Sequence, residues 1–219
     1  MCFSPLASLS TFLIGIIGAI LTITLGTPTD KLVGFFFGFV SSMQGIEFAL
    51  WKNQTCNDMN KIISVLGMVF NHLQPIVLSI LILLLNDNLS TMTKQIIILS
   101  TIIYAIVITA YSLQFISNDN TNGTSNDRCT IKNEYKHLEW DWNGMKHRTL
   151  VYMLFLFMLV FLFFIGTPNK KSGIVLSVIT LISYLISYFI YKDQKVVGSL
   201  WCLFASFTPV LWYGYNKII

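Results

Sequence analysis

Long apolar blocks separated by short polar connections organise this chain. They run approximately Leu6–Leu25, Leu32–Trp51, Ile62–Leu85, Ile96–Ile116, Leu150–Ile165, Gly173–Tyr191 and Val197–Tyr215. Most reach the roughly 18 residues that let a helix cross the hydrocarbon core. No period-two alternation suggests a barrel, and backbone polar groups inside lipid must be bonded within their own segment. The pattern predicts an all-α integral membrane bundle of about seven transmembrane helices, one domain over residues 1–219.

Turn residues punctuate the blocks. Gly26-Thr27-Pro28 follows the first and Gly166-Thr167-Pro168-Asn169 the fifth. The one long connection, at about 117–148, is rich in Asn, Asp and Thr before it reaches His137, Trp140, Trp142 and His147. A loop of that length is commonly functional or disordered. Its aromatic half is expected to dock onto the bundle.

Composition agrees with a membrane protein. Of 219 residues, 54% are hydrophobic and 11% charged, against about a quarter charged in soluble domains. Mean hydropathy is +0.68. The net charge of +4 is small and scattered, so a nucleic-acid partner is not expected, nor a nucleotide cofactor. No cation precedes the first block, which is longer than a signal-peptide core of roughly 7–15 residues. It reads as a retained helix.

Seven crossings put the N-terminus on one face with the second, fourth and sixth connections. Nine of the Lys and Arg residues fall there: Lys52, Lys61, Arg128, Lys132, Lys136, Lys146, Arg148, Lys192 and Lys195. Five fall on the opposite face: Lys31, Lys94, Lys170, Lys171 and Lys217. The positive-inside rule leans towards a cytoplasmic N-terminal face. Sequons at Asn53 and Asn122, and Cys56 and Cys129 in different loops of the same face, point the other way, since those cysteines can pair in an oxidising compartment.

Small and polar residues recur at helical spacing. The first span carries Ser8, Thr11, Gly15, Gly18 and Thr22. The second has a groove of Gly34, Gly38, Ser41 and Gly45, and another face of Val40, Gln44, Glu47 and Trp51. The sixth bears Ser177, Thr180, Tyr184, Ser187 and Tyr191; the seventh bears Ser199, Cys202, Ser206, Pro209 and Tyr213. These four helices are predicted to turn polar faces inward, with plain helix packing as the competing reading. The fifth, nearly all Leu, Phe, Met and Val, is expected to face lipid.

Two places carry residues that are costly in a membrane. Glu47 is the one acid well inside a span, and such groups face an interior, a cavity or a partner. Asn71, His72, Gln74 and Pro75 lie near the middle of the third span, where proline removes a backbone donor and frees the Asn71 carbonyl. By depth, Cys2, Glu47, Cys202 and the loop's His137 share the N-terminal face. Thiolates, imidazole and carboxylate form the ligand set for zinc or another thiophilic transition metal.

The opening Met1-Cys2-Phe3-Ser4-Pro5 resembles that of an uncharacterised family of multi-pass membrane proteins beginning Met-Cys-Phe-Ser. Gln44-x-x-Glu47-x-x-x-Trp51, His137-Leu138-Glu139-Trp140 and Ser199-Leu200-Trp201-Cys202-Leu203-Phe204-Ala205 are similar to elements of that family. At His72-Leu73-Gln74-Pro75 the chain departs from it. The resemblance implies no reaction, but its elements converge on the N-terminal face.

Three functions compete. The first is a metal or catalytic site of Cys2, Glu47, His137 and Cys202, with Ser4, Gln44, Trp51, Trp140 and Trp201 as walls and orienting partners. There Glu47 could serve as a base for metal-activated water, or Cys2 as a nucleophile. The second is a small-solute transporter with its path near Asn71, His72 and Gln74. The third is a sensor or scaffold without chemistry. A retinal protein is not expected, because no lysine lies within the last span. Nor is a ceramidase-like hydrolase, because no His-x-x-x-His pair exists.

Overall fold

A computed structural model describes residues 4–117, 128–191 and 197–218. The elements are α1 (Pro5–Ile23), α2 (Pro28–Lys52), α3 (Asp58–Leu85), α4 (Thr91–Ser117), β1 (Thr130–Lys132), β2 (Leu138–Trp140), α5 (Arg148–Gly166), α6 (Lys170–Tyr191), α7 (Val197–Ala205) and α8 (Thr208–Ile218). The chain is an all-α membrane bundle: among the described residues, six helices, α1 to α6, are long and apolar enough to cross a bilayer. Exposed Leu13, Ile17, Leu99, Ile103, Ile106, Phe157 and Phe164 form its lipid-facing surface.

Helix ends follow local chemistry. Ser4 caps α1 by accepting from the Ala7 amide at 3.1 Å, with Pro5 in the first turn. Thr27 and Asp30 form a reciprocal capping box at the start of α2. Asn57 caps α3 by accepting from the Asn60 amide at 2.9 Å. At the other end, the Asn86 amide donates to the Gly166 carbonyl at 2.9 Å, joining the ends of α3 and α5.

Small residues set the tightest packing. α1 lies antiparallel in the groove of α2, with Gly15 against Ser41 and Phe12 against Gly45. A side chain at Gly15 would collide with Ser41, so the close approach requires glycine.

α5 faces lipid on one side only, through Phe157 and Phe164, and its other side is packed inside the bundle. Val151, Phe155, Leu159, Leu162 and Phe163 are buried, and Phe163 packs edge-on to Phe36 and stacks on Phe37. Large apolar side chains fill gaps between helices as readily as they face acyl chains, so composition alone does not separate the two. α4 takes the peripheral place, exposing Ile98, Leu99, Ile102, Ile103 and Ile106.

The last predicted span is not one helix. α7 ends at Ala205 and α8 begins at Thr208, because Pro209 has no N–H to bond the Ala205 carbonyl. The Thr22 hydroxyl donates to the Pro209 carbonyl at 2.7 Å. The Trp212 indole donates to Asp30 at 2.8 Å. Both bonds hold α8 against α1 and α2.

Part of the long loop is an antiparallel hairpin, β1 with β2, pairing Thr130 with Trp140 and Lys132 with Leu138. It is tied to α3: Asn60 donates to the Thr130 carbonyl at 3.0 Å and accepts from the Thr130 amide at 2.9 Å. Ser64 donates to the Thr130 hydroxyl at 2.9 Å. A Cys56–Cys129 disulfide lies beside this clamp.

Candidate functional site

The polar faces of α2, α3, α6 and α7 meet around Cys202. Its thiol is wholly buried. It accepts from the Gln74 amide at 3.5 Å and donates to the side-chain Oδ1 of Asn71 at 3.9 Å, a range suited to sulfur. Glu47 and Tyr184 lie within electrostatic reach of it. Gln44 is one turn from Glu47 on the same face of α2. Gln44, Glu47, Gln74 and Cys202 each show no solvent exposure.

Several polar atoms in this cluster have no hydrogen-bond partner among the described residues: both amide atoms of Gln44, Oε1 of Gln74 and the Tyr184 hydroxyl. The Ser8 hydroxyl on α1 and the Trp51 indole nitrogen on α2 are in the same condition. Buried polar groups in native proteins are nearly always bonded to protein, water or ligand. A concentration of exceptions therefore marks a place shaped for something else.

His72 does not share this cluster. Its ring pairs with the Ser112 hydroxyl at 3.0 Å and lies edge-on to Trp142 and Tyr111. The expected group of Asn71, His72 and Gln74 thus divides between two faces of α3. Tyr104 donates to the His72 carbonyl at 3.0 Å, supporting the helix in the turn where Pro75 removes a backbone donor.

The docked loop covers this half of the bundle. The Trp140 ring fills the space over Gly67, where an added Cβ would fall 2.5 Å from it. Trp142 stands beside Trp140 and accepts the Tyr111 hydroxyl on its carbonyl at 3.1 Å. Trp201 is buried against Phe155 and Tyr184. Trp140 thus packs on α3 at Gly67 and Trp201 beside Tyr184, whereas Ser4 serves as a helix cap.

Of the four expected metal ligands, three are described, and they are not assembled. Among the described residues no three His, Cys, Asp or Glu side chains are grouped to hold a metal ion. His137 belongs to the hairpin turn, where its amide donates to Asn133 at 3.0 Å, and partial burial lowers its pKa below the ordinary 6.5. Cys2, with Met1 and Phe3 of the opening motif, lies outside the described residues. So do Asn122, Lys192 and Lys195, and the side chains of Tyr191 and Ser199.

Sequence reasoning named five of the cluster's six members as site residues and Tyr184 only as part of a stripe. The stripe at Thr180, Tyr184 and Ser187 was the available signal.

No curated protein and no solved structure matches the chain. A model of a family of unknown function, DUF5765, matches residues 6–214, consistent with the expected membership of an uncharacterised family; the opening Met1–Pro5 lies outside the match. By that match, which spans nearly the whole chain, the protein belongs to this family of unknown function.

Proposed function

We propose that the protein crosses the bilayer seven times, with α7 and α8 together as the last crossing, and binds a small cationic solute in the bundle interior. Its site is the cluster of Gln44, Glu47, Asn71, Gln74, Tyr184 and Cys202, on a path of transport. One observation carries the reading: the buried Gln44 amide, without a partner for either polar atom among the described residues. Together with Gln74 Oε1 and the Tyr184 hydroxyl it offers bonding capacity that the described residues do not use. The Glu47 carboxylate gives the cluster a preference for positive charge.

Thermal unfolding of the purified protein against alkali cations, ammonium and methylammonium tests this. A specific ligand at a hundredfold excess over Kd adds about 2.7 kcal/mol of stability. One of these cations should raise Tm in the wild type and not in Glu47→Gln. If none does, the reading fails.

A second reading keeps zinc or another thiophilic transition metal, because Cys202 and Glu47 occupy one cluster. Elemental mass spectrometry on protein kept reduced and free of chelator tests it. Near-stoichiometric metal, lost in Cys2→Ser/Cys202→Ser, would replace the cation reading.

For orientation, the Cys56–Cys129 bridge outweighs the lysine count, since disulfides persist in oxidising compartments and five of the nine cations share one loop with five acids. The N-terminal face then lies outside the cytoplasm. An impermeant maleimide applied to intact cells should label a cysteine introduced at Asn53 and not one introduced at Lys170; the reverse pattern restores the cytoplasmic assignment.

A further inference from the structure

A groove of about 460 Å³ opens between α6 and α8 at the face opposite the N-terminus. Its origin lies in the broken helix. α7 packs on α6, but beyond Phe207 the chain turns, and α8 leans on α1 and α2 instead. The two helices splay, and Val175, Leu176, Ile179 and Leu211 line the wedge between them. Its volume falls in the range of about 300–1,000 Å³ typical of ligand sites.

The rim differs in chemistry from the depth. Lys171 and Ser172 stand at the start of α6, opposite Trp212 and Tyr215 on α8. The Trp212 nitrogen is committed to Asp30, which leaves the apolar ring to line the groove. Aromatic residues of this kind settle at the membrane interface. Charge at this face is one-sided: five lysines, including adjacent Lys170 and Lys171, against two acids, Asp30 and Asp87. Asp30 already accepts from Trp212 and from Thr27.

The groove continues past Ile179 and Thr208 into a narrower cleft reaching Ser183 and Trp201. From Lys171 to Ser183 an α-helix rises about 18 Å. One leaflet of hydrocarbon is about 15 Å thick. The slot is therefore one leaflet deep, apolar along its length and cationic at its mouth.

We infer that this groove holds one acyl chain of an anionic phospholipid, with its phosphate at Lys170 and Lys171. The assignment is independent of the interior cluster. A zwitterionic lipid such as phosphatidylcholine would fit the slot, but its choline cation would offset the attraction of its phosphate to the paired lysines.

Native mass spectrometry of the purified protein, supplied with dioleoyl phosphatidylglycerol or dioleoyl phosphatidylcholine, tests the assignment. The wild type should retain phosphatidylglycerol in preference to phosphatidylcholine. Lys170→Gln/Lys171→Gln should lower that retention by about fivefold for each lysine. Val175→Trp, which fills the slot from a lipid-exposed position, should abolish retention without lowering Tm. Lys31→Gln, at the same face but off the groove, should retain lipid as the wild type does. Equal retention of the two lipids by the wild type, or unchanged retention in both groove variants, overturns the assignment; so does an equal loss in Lys31→Gln, which would mark general surface charge.

Discussion

The Gln74 amide donates to the Cys202 sulfur across 3.5 Å, joining the proline-bearing turn of α3 to the short helix α7. The thiol is buried and engaged on both sides, by Gln74 and by Asn71. It should therefore be inert in the folded protein, since reactivity needs exposure and an accessible thiolate. In a Cys2→Ser background, maleimide should not modify Cys202 until detergent denaturation. Rapid labelling of the folded protein would mean that the cluster opens to solvent.

Gln44 is a case where function and stability should oppose each other. Its amide is buried with neither polar atom bonded among the described residues, and a buried unsatisfied group costs about 1–3 kcal/mol. Gln44→Leu, similar in volume and apolar, should leave Tm unchanged or raise it, while removing the cation-dependent increase. A fall in Tm in the absence of ligand would show that the amide has an internal partner.

Trp140 fits over Gly67 because glycine lacks a side chain, and a Cβ there would lie 2.5 Å from the ring. Gly67→Ala gains roughly 1 kcal/mol of helix propensity but overpacks the contact by about 1–3 kcal/mol. The net effect should be destabilising, with altered tryptophan fluorescence as the ring moves. Trp140→Phe in the same chain should recover much of the loss. If the double variant is no better than Gly67→Ala, the two residues do not share this contact.

Acid should loosen the docked loop. Partial burial lowers the His137 pKa in the folded protein below the 6.5 of a free imidazole. Above pH 6.5 the ring is neutral docked or undocked, and docking carries no penalty. As pH falls through that value, the undocked ring takes up a proton that the docked ring resists, so the balance shifts towards undocking. Tryptophan fluorescence should change as pH falls below about 6.5 in the wild type and less in His137→Gln. Identical titrations would remove His137 as the cause.

Much of the fold was legible because a bilayer imposes simple rules. Apolar runs marked the six long helices, and the Gly-Thr-Pro turns marked their ends. The faces of α1 and α2 were legible too, since glycines at helical spacing have few other uses. What could not be read was which faces meet. Glu47 and Asn71 were assigned to separate sites; the packing of α2, α3 and α7 makes them one. The role of α5 was hidden because lipid and protein interior are equally apolar. The hairpin was hidden because strands of three residues leave no periodic trace. Pro209 was legible as a member of a helical stripe, but its effect required knowing that Thr22 was present to accommodate the break.

The broken final helix also bears on how the protein is assembled. α7 has nine residues and α8 eleven, about 14 and 17 Å of helix, so neither half alone spans a hydrocarbon core of about 30 Å. The carbonyl of Pro209 rests on a hydroxyl supplied by Thr22, from the opposite end of the chain. Thr22 precedes Pro209 in the chain, so insertion in sequence order puts the hydroxyl in place before the break reaches it. The broken segment then closes onto a surface that α1 and α2 have already formed, and a defect in the packing of α1 would be felt at α8.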